Sequence, residues 1–309
     1  MAGGPFLERD GRVVVYAGYS WRGRSRGTSS GTMPGAVPSE MHEVLWISPD
    51  ASEATGRWFW GAYDEFGFDV RLIRASGTPM LISTDRPRLK TGATAQRIRI
   101  LGDSLPSRVV ASDLDFGPGV TVHRVMSASS SELVVEVDVA ANAVPGKRDV
   151  ALGRVVLPGA TAVYDTIDTI KILPETAVAR LGGGGSPHPK GYQQFEAIAY
   201  NRGADNKVGT ADDVDLGPID VTWSVEEFYQ SFDDTDKEFV GTLSSDGLFT
   251  PSVDGPNPQR KFMADNHGNV WVVATANQEK DRNKKLVTGK SYLLVAPPLY
   301  IVWDKDIEQ

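Results

Sequence analysis

Apolar and polar side chains alternate with a period of two along most of this chain, and turn-forming residues separate the alternating runs. The segment Gln96–Leu101 (QRIRIL) is typical, because Ile98 and Ile100 would face one side and Arg97 and Arg99 the other. A period of two matches the side chains of a β-strand, whereas an amphipathic helix repeats its apolar face every 3.6 residues. Since no amphipathic helical pattern occurs before residue 225, the sequence predicts an all-β fold.

The alternating runs form three groups, which predict modules at residues 1–105, 106–172 and 173–309. In the second group, short runs with one polar face are typical of antiparallel sheets in a small sandwich. In the third, Asp246-Gly247 between apolar runs predicts a hairpin turn. The segment 50–56 has the composition of a single helical turn. The predicted strands include Arg12–Tyr19, Glu43–Ser48, Arg57–Gly61, Gly67–Arg74, Met80–Ser83, Leu133–Val139, Arg148–Val156, Val270–Ala276, Ser291–Ala296 and Leu299–Asp304.

The composition narrows the classes of function. The absence of cysteine excludes disulfides, thiolate zinc sites, thioether-attached haem and cysteine nucleophiles within this sequence. The net charge is −8, and residues 173–309 carry all of that excess, whereas a nucleic-acid binder would need a basic face. No apolar run is long enough to span a membrane. The first residues lack the apolar core of a signal peptide, which predicts either a cytoplasmic protein or a mature or trimmed chain.

An acidic loop at residues 201–215 (NRGADNKVGTADDVD) is the best candidate for a metal site. Asp205, Asp212, Asp213 and Asp215 supply the carboxylate oxygens that calcium prefers. The spacing departs from that of an EF-hand, and Lys207 opposes a cation. The loop is therefore predicted either to bind calcium or to be a solvated loop built from Asx turns.

Aromatic and arginine residues near the N-terminus predict a partner-binding surface, because Trp and Arg are enriched at protein interfaces. Trp21, Arg22 and Arg24 lie together in a basic segment, for which an exposed loop is the alternative interpretation. In the run WFW, Trp58 and Trp60 would share one strand face and Phe59 the other. Both faces are then apolar, which indicates that a neighbouring module or another chain covers one of them.

Longer stretches resemble a known family. Residues 16–24 (YAGYSWRGR), 43–48 (EVLWIS) and 56–74 (GRWFWGAYDEFGFDVRLIR) resemble the second domain of the alpha subunit of quinohemoprotein amine dehydrogenase, a streptavidin-like β-barrel. Residues 221–227 (VTWSVEE) and 241–251 (GTLSSDGLFTP) resemble the C-terminal domain of the same subunit and also bacterial immunoglobulin-like repeats. The middle of the chain (VVEVDVAANAVPGKRDVAL) resembles IPT-type immunoglobulin-like folds.

The resemblance implies a partial streptavidin-like β-barrel followed by two immunoglobulin-like β-sandwiches. Because such a barrel has eight strands and the first module offers fewer, we expect that another polypeptide completes it, that it is rearranged, or that the chain is truncated. The implied role is that of a non-catalytic scaffold in a periplasmic or secreted amine dehydrogenase complex. No redox residue of the family maps onto this sequence, so no catalytic or cofactor-binding residue is assigned.

The same resemblance implies the partners and cofactors. The partners would be a β-propeller subunit, a small quinone-bearing subunit and a di-haem cytochrome c domain, with haem c and the tryptophan-derived quinone held outside this chain. A different class of function stays open, namely a stand-alone secreted or surface immunoglobulin-like binding or adhesion protein, stabilised by calcium in the acidic loop. A small ligand in the pocket of a complete barrel is a third hypothesis.

Overall fold

A computed structural model describes residues 2–7, 13–20, 40–59, 63, 66–74, 76–186, 188–230 and 233–298, with backbone alone for those before residue 44. These residues form 23 strands and three short 3₁₀ turns. The all-β prediction is confirmed. The segment predicted as a helical turn at residues 50–56 instead closes a tight turn and then enters a strand, because the Asp50 carboxylate accepts hydrogen bonds from Ser48 and Ser52.

The first module is one antiparallel sheet, in which each strand pairs with the next along the chain. Hairpin connections of this kind need only local turns, which the sequence supplies between the alternating runs. Leu45 and Phe59 are buried, whereas Trp58 is half-buried opposite Phe68 of the next strand. Its strands are β1 (Ala2–Leu7), β2 (Val13–Ser20), β3 (Glu40–Ile47), β4 (Glu53–Phe59) and β5 (Gly67–Ile73).

The second module is a sandwich of two four-stranded sheets, in the orders β10-β11-β8-β6 and β7-β13-β12-β9. Its core takes apolar residues from both sheets, among them Ile98, Ile100, Leu133 and Val150, all fully buried. Its strands are β6 (Met80–Thr84), β7 (Arg88–Lys90), β8 (Gln96–Asp103), β9 (Leu114–Asp115), β10 (Val120–Ala128), β11 (Glu132–Val139), β12 (Gly146–Leu152) and β13 (Val155–Tyr164).

The third module places three sheets around one core, in the orders β14-β17-β18, β15-β23-β22-β19 and β16-β21-β20. The predicted hairpin at Asp246-Gly247 is confirmed between β20 and β21, with Gly247 at a φ of 83°. Its strands are β14 (Thr169–Leu173), β15 (Thr176–Arg180), β16 (Gln193–Gln194), β17 (Glu196–Asn201), β18 (Val214–Pro218), β19 (Val221–Glu227), β20 (Gly241–Leu243), β21 (Leu248–Pro251), β22 (Gly268–Lys280) and β23 (Leu286–Ala296).

Two details differ from the sequence prediction. Residues 80–103 are predicted to belong to the first module, but β8 pairs with β11 and β6, so the sheets place that boundary between residues 73 and 80 rather than near 105. Alternation identifies β8 as a strand with one dry face, and it does not identify the sheet that the strand joins. The strand predicted at Arg148–Val156 is two strands, because Gly153 turns the chain at a φ of 58°. The strand predicted at Leu299–Asp304 lies outside the described residues.

Candidate functional site

A groove of about 1610 Å³ lies between the first and third modules. One wall comes from β4, β5 and their connection, and the other from all three sheets of the third module. Residues from distant parts of the sequence therefore meet across it. The lining includes Arg57, Tyr63, Phe68 and Asp69 on one side and Val178, Arg180, Gln194, Glu196, Asp220, Trp223 and Asp246 on the other.

Arg57 organises the wall of the first module. Its Nε donates a hydrogen bond to the carbonyl of Tyr63 at 2.9 Å, and its Nη1 lies 3.0 Å from Oδ1 of Asp69. The guanidinium also lies 6.0 Å from the centre of the Tyr63 ring, which in turn packs edge-on against Phe59 at 5.3 Å. Because Asp69 stays largely exposed, its carboxylate faces the groove with only part of its charge neutralised.

The wall of the third module is cross-linked by a glutamine side chain and carries a carboxylate. Nε2 of Gln194 donates hydrogen bonds to the carbonyls of Phe195 and Asp246, at 3.0 and 2.7 Å, and so joins two of its strands. Glu196 follows at the start of β17. Burial raises the pKa of Glu196, and the carboxylates of Asp215 and Asp69 raise it further. Glu196 therefore lies within the electrostatic influence of two other carboxylates at this point of the groove.

The second and third modules share buried apolar residues and hydrogen bonds at their junction. Ala162 and Tyr164 of β13 are buried in the core of the third module. Nη1 of Arg88 donates to the carbonyls of Leu216 and Pro218, at 3.3 and 2.5 Å, across the same junction. Apolar burial and directed hydrogen bonds together fix the orientation of the two modules.

A second contact fixes the segment that joins them, residues 165–168. The Arg282 guanidinium donates two parallel hydrogen bonds to Asp165 at 2.9 Å, and its Nε donates to Asp168 at 2.9 Å. Burial alone would raise the pKa of Asp165, but the bonds from Arg282 and from Asn201 outweigh it, and the pKa is lowered. The Asp165 carboxylate is therefore held in the ionised form that the contact with Arg282 requires.

The structure brings the four predicted calcium ligands into one loop but engages them locally. Asp205 accepts from the Lys207 amide at 2.7 Å, and Asp212 accepts from the Asp205 amide at 2.8 Å. Asp213 and Asp215 accept from the Gly209 and Gly217 amides, each at 2.7 Å. In the described part of the chain, no group of three or more His, Cys, Asp or Glu side chains is arranged to hold a metal ion. Calcium binding stays a prediction.

The predicted partner surface falls mostly outside the described residues. Trp21, Arg22, Arg24 and Trp60 all lie there, and only Trp58 is placed, half-buried on the face of β4 opposite to that of Phe59. Its role at an interface stays a prediction. No helix in the described ranges is both long and apolar enough to cross a membrane.

Sequence reasoning missed Glu196, Asp69 and Arg282. Glu196 begins a short apolar strand, and nothing local marks it as facing another module. Arg282 lies in a hairpin turn, 117 residues from its partner Asp165. The only sequence signal for an acidic groove is the distribution of charge, since the acidic excess lies in residues 173–309.

Three family models match successive parts of the chain and together cover nearly all of it. They describe the alpha subunit of quinohemoprotein amine dehydrogenase: domain II matches residues 1–75, domain III residues 79–165 and domain IV residues 170–306. The junctions between these matches fall where the sheets divide the chain. A comparison with curated proteins finds no match.

Similar solved structures include domains 4–9 of the surface layer protein SbsC, human protocadherin-24 EC1-2 and the human desmocollin-1 ectodomain. Their sequence identities are 14%, 12% and 11%, and their TM-scores 0.21, 0.24 and 0.23. The matches cover 96%, 72% and 84% of this chain, and 45%, 98% and 47% of the other chains. The chain thus spans about half the length of the SbsC and desmocollin-1 structures. At these TM-scores the likeness establishes neither a shared fold nor a shared function.

Proposed function

This chain belongs to the family of quinohemoprotein amine dehydrogenase alpha subunits, and we propose that it serves as a non-catalytic scaffold that positions redox subunits for amine oxidation. A scaffold must hold its binding surfaces in fixed relative positions. Its side chains need to present surface and resist deformation, and they need no nucleophile or general base. A scaffold role therefore requires modules held in a fixed relative position, and it requires no reactive centre within any of them.

The continuous junction of the second and third modules is the observation that carries this proposal. Ala162 is fully buried and Tyr164 is 7% exposed within a core otherwise built from the third module, and the Asp168 side chain is 5% exposed beneath Arg282. Interfaces between domains of one chain are commonly more polar than obligate subunit interfaces, and they permit the domains to move relative to each other. Shared apolar burial, together with a charged contact in which Asp168 is buried, opposes such motion here.

The redox groups are proposed to lie outside this sequence. Haem c is attached through cysteine thioethers, and this sequence contains no cysteine, so its residues do not fit covalent haem. We assign the haems to a cytochrome domain and the tryptophan-derived quinone to a small subunit, with a β-propeller subunit completing the assembly. A periplasmic location follows from the same assignment.

Purification of the native assembly from its own host, with identification of every chain by mass spectrometry, tests the proposal. We expect this chain together with a haem-bearing and a quinone-bearing polypeptide, and an absorption spectrum typical of c-type haem. Recovery of the chain alone and without colour would contradict the scaffold role and would favour the stand-alone binding protein.

A further inference from the structure

We propose that the groove between the first and third modules receives an extended, lysine- or arginine-bearing segment of a partner protein. The inference rests on the proposed function in one respect, since the segment is taken to belong to another subunit of the assembly. Three properties of the groove support it: its size, the strand edges along it and its charge.

The size of the groove suits a polypeptide segment. Pockets for small molecules and cofactors commonly enclose about 300–1,000 Å³. The volume here, about 1610 Å³, exceeds that range, and the groove is lined by residues from two modules rather than enclosed in one. An isolated small ligand would leave much of this space to water, whereas a segment of several residues would contact both walls.

Two strand edges border the groove and favour an extended conformation for its occupant. β5 is the last strand of the first sheet and, among the described strands, pairs only with β4. β15 pairs with β23, and on its other side Arg180 alone is bridged, to Gly191, within the described residues. Exposed strand edges offer main-chain groups that bind extended peptides by adding a strand. Residues of both strands line the groove.

Charge selects a basic occupant. Asp69, Glu196, Asp220 and Asp246 line the groove, against Arg57 and Arg180. Arg57 is engaged by Asp69, and no hydrogen bond or ion pair joins the Glu196 carboxylate to a described residue. An ammonium or guanidinium group between Glu196 and Asp69 would relieve the repulsion of their carboxylates. Basic side chains on an extended segment supply such groups at intervals of two residues.

Fluorescence anisotropy with the full chain and a synthetic probe tests the proposal. The probe is a fluorescein-labelled peptide of four Lys-Val repeats, and its counterpart has glutamate in place of lysine. We expect the basic probe alone to bind, with an affinity that falls as salt is added. Glu196→Gln should weaken binding about fivefold, the effect of removing one partly exposed charge pair.

Glu226→Gln is the matched control, because Glu226 lies on a strand of the same module, pairs with Lys290 at 2.5 Å and does not line the groove. Equal losses in Glu196→Gln and Glu226→Gln would reveal unspecific attraction and overturn the proposal. Displacement of the probe by spermine as effectively as by unlabelled peptide would assign the groove to polyamines and also overturn it. Unchanged probe binding by Glu196→Gln, with the native assembly intact, would contradict the groove proposal while leaving the scaffold role standing.

Discussion

Arg260 is the most highly connected buried cation among the described residues. Its Nη1 donates to the carbonyls of Asp265 and His267, each at 2.6 Å, and its Nη2 lies 2.7 Å from Oδ1 of Asp236. Asp234 accepts from the same guanidinium. Burial would lower the pKa of Arg260, but these carboxylates outweigh it and raise the pKa. One side chain therefore ties the segment before β20 to the loop before β22.

Replacement of Arg260 by alanine should destabilise the third module by about 3 kcal/mol, because two carboxylates would lose a partner in a site where the guanidinium side chain is only 3% exposed. Urea denaturation followed by circular dichroism measures the change. Lys290→Ala is the control, since its pair with Glu226 is about half exposed and should contribute at most about 1 kcal/mol. Equal losses of unfolding free energy in the two variants would contradict the stabilising role of the buried Arg260 contacts.

Glu196 should make stability depend on pH in a defined direction. Its folded-state pKa is raised above the ordinary 4.5 by burial and by Asp215 and Asp69. Between pH 4.5 and the raised pKa, the native state binds more protons at Glu196 than the unfolded state does. The free energy of unfolding therefore falls as pH rises through that window. Glu196→Gln stays neutral and should therefore raise Tm at pH 7 to 8 but not near pH 4. A Tm difference independent of pH would contradict this prediction.

Strand β18 contains a glycine, Gly217, whose backbone conformation and close packing lie at the junction of the second and third modules. Gly217 has a φ of +78°, and a Cβ there would lie 2.6 Å from Cβ of Pro87. Left-handed backbone and close approach coincide at this position, and either alone favours glycine. The adjacent carbonyls of Leu216 and Pro218 are the acceptors of Arg88, so the glycine also sets the geometry of that contact.

Gly217→Ala should destabilise the chain by about 3 kcal/mol, since left-handed backbone and overpacking against Pro87 both contribute. Gly153→Ala is the control, because Gly153 has a φ of +58° with open space around it and should cost only about 1 kcal/mol. Thermal unfolding of the two variants under identical conditions provides the measurement. A Gly153 variant as unstable as the Gly217 variant would refute the role of the close approach.

Local elements of this fold could be predicted from the sequence, whereas partners across modules could not. Alternation identified β8 and the pair β22 and β23, because a half-buried strand must place apolar residues at every second position. The same rule does not specify which sheet a strand joins, and for this reason the sequence places β8 in the first module although it pairs with strands of the second. The role of Glu196 cannot be predicted from the sequence for a related reason. Asp69, which helps to raise its pKa, belongs to another module, and only the packing of the modules brings the two carboxylates together.

The described residues between 80 and 298 form one continuously packed unit built from two family domains. Tyr164 completes the core of the third module, Arg88 bonds its backbone, and Arg282 holds the joining segment. The groove has the first module as one wall and this body as the other. A partner segment bound in the groove would contact both, and its position would then be fixed relative to the whole alpha chain.

This organisation predicts that the second and third modules unfold together. Hydrogen exchange measured by mass spectrometry should give the same opening free energy for the cores of β11 and β22, since Ala162 and Tyr164 of β13 lose burial, and Arg88 loses its acceptors, when the third module opens. Arg282→Gln should separate the two values by about 2 kcal/mol, because it leaves Asp168 buried with one fewer partner. Arg99→Gln, which removes an exposed pair with Glu132 inside the second module, should leave them equal. Different opening free energies in the unaltered chain would mean that the junction does not couple the modules, and the scaffold would then need its partners to become rigid.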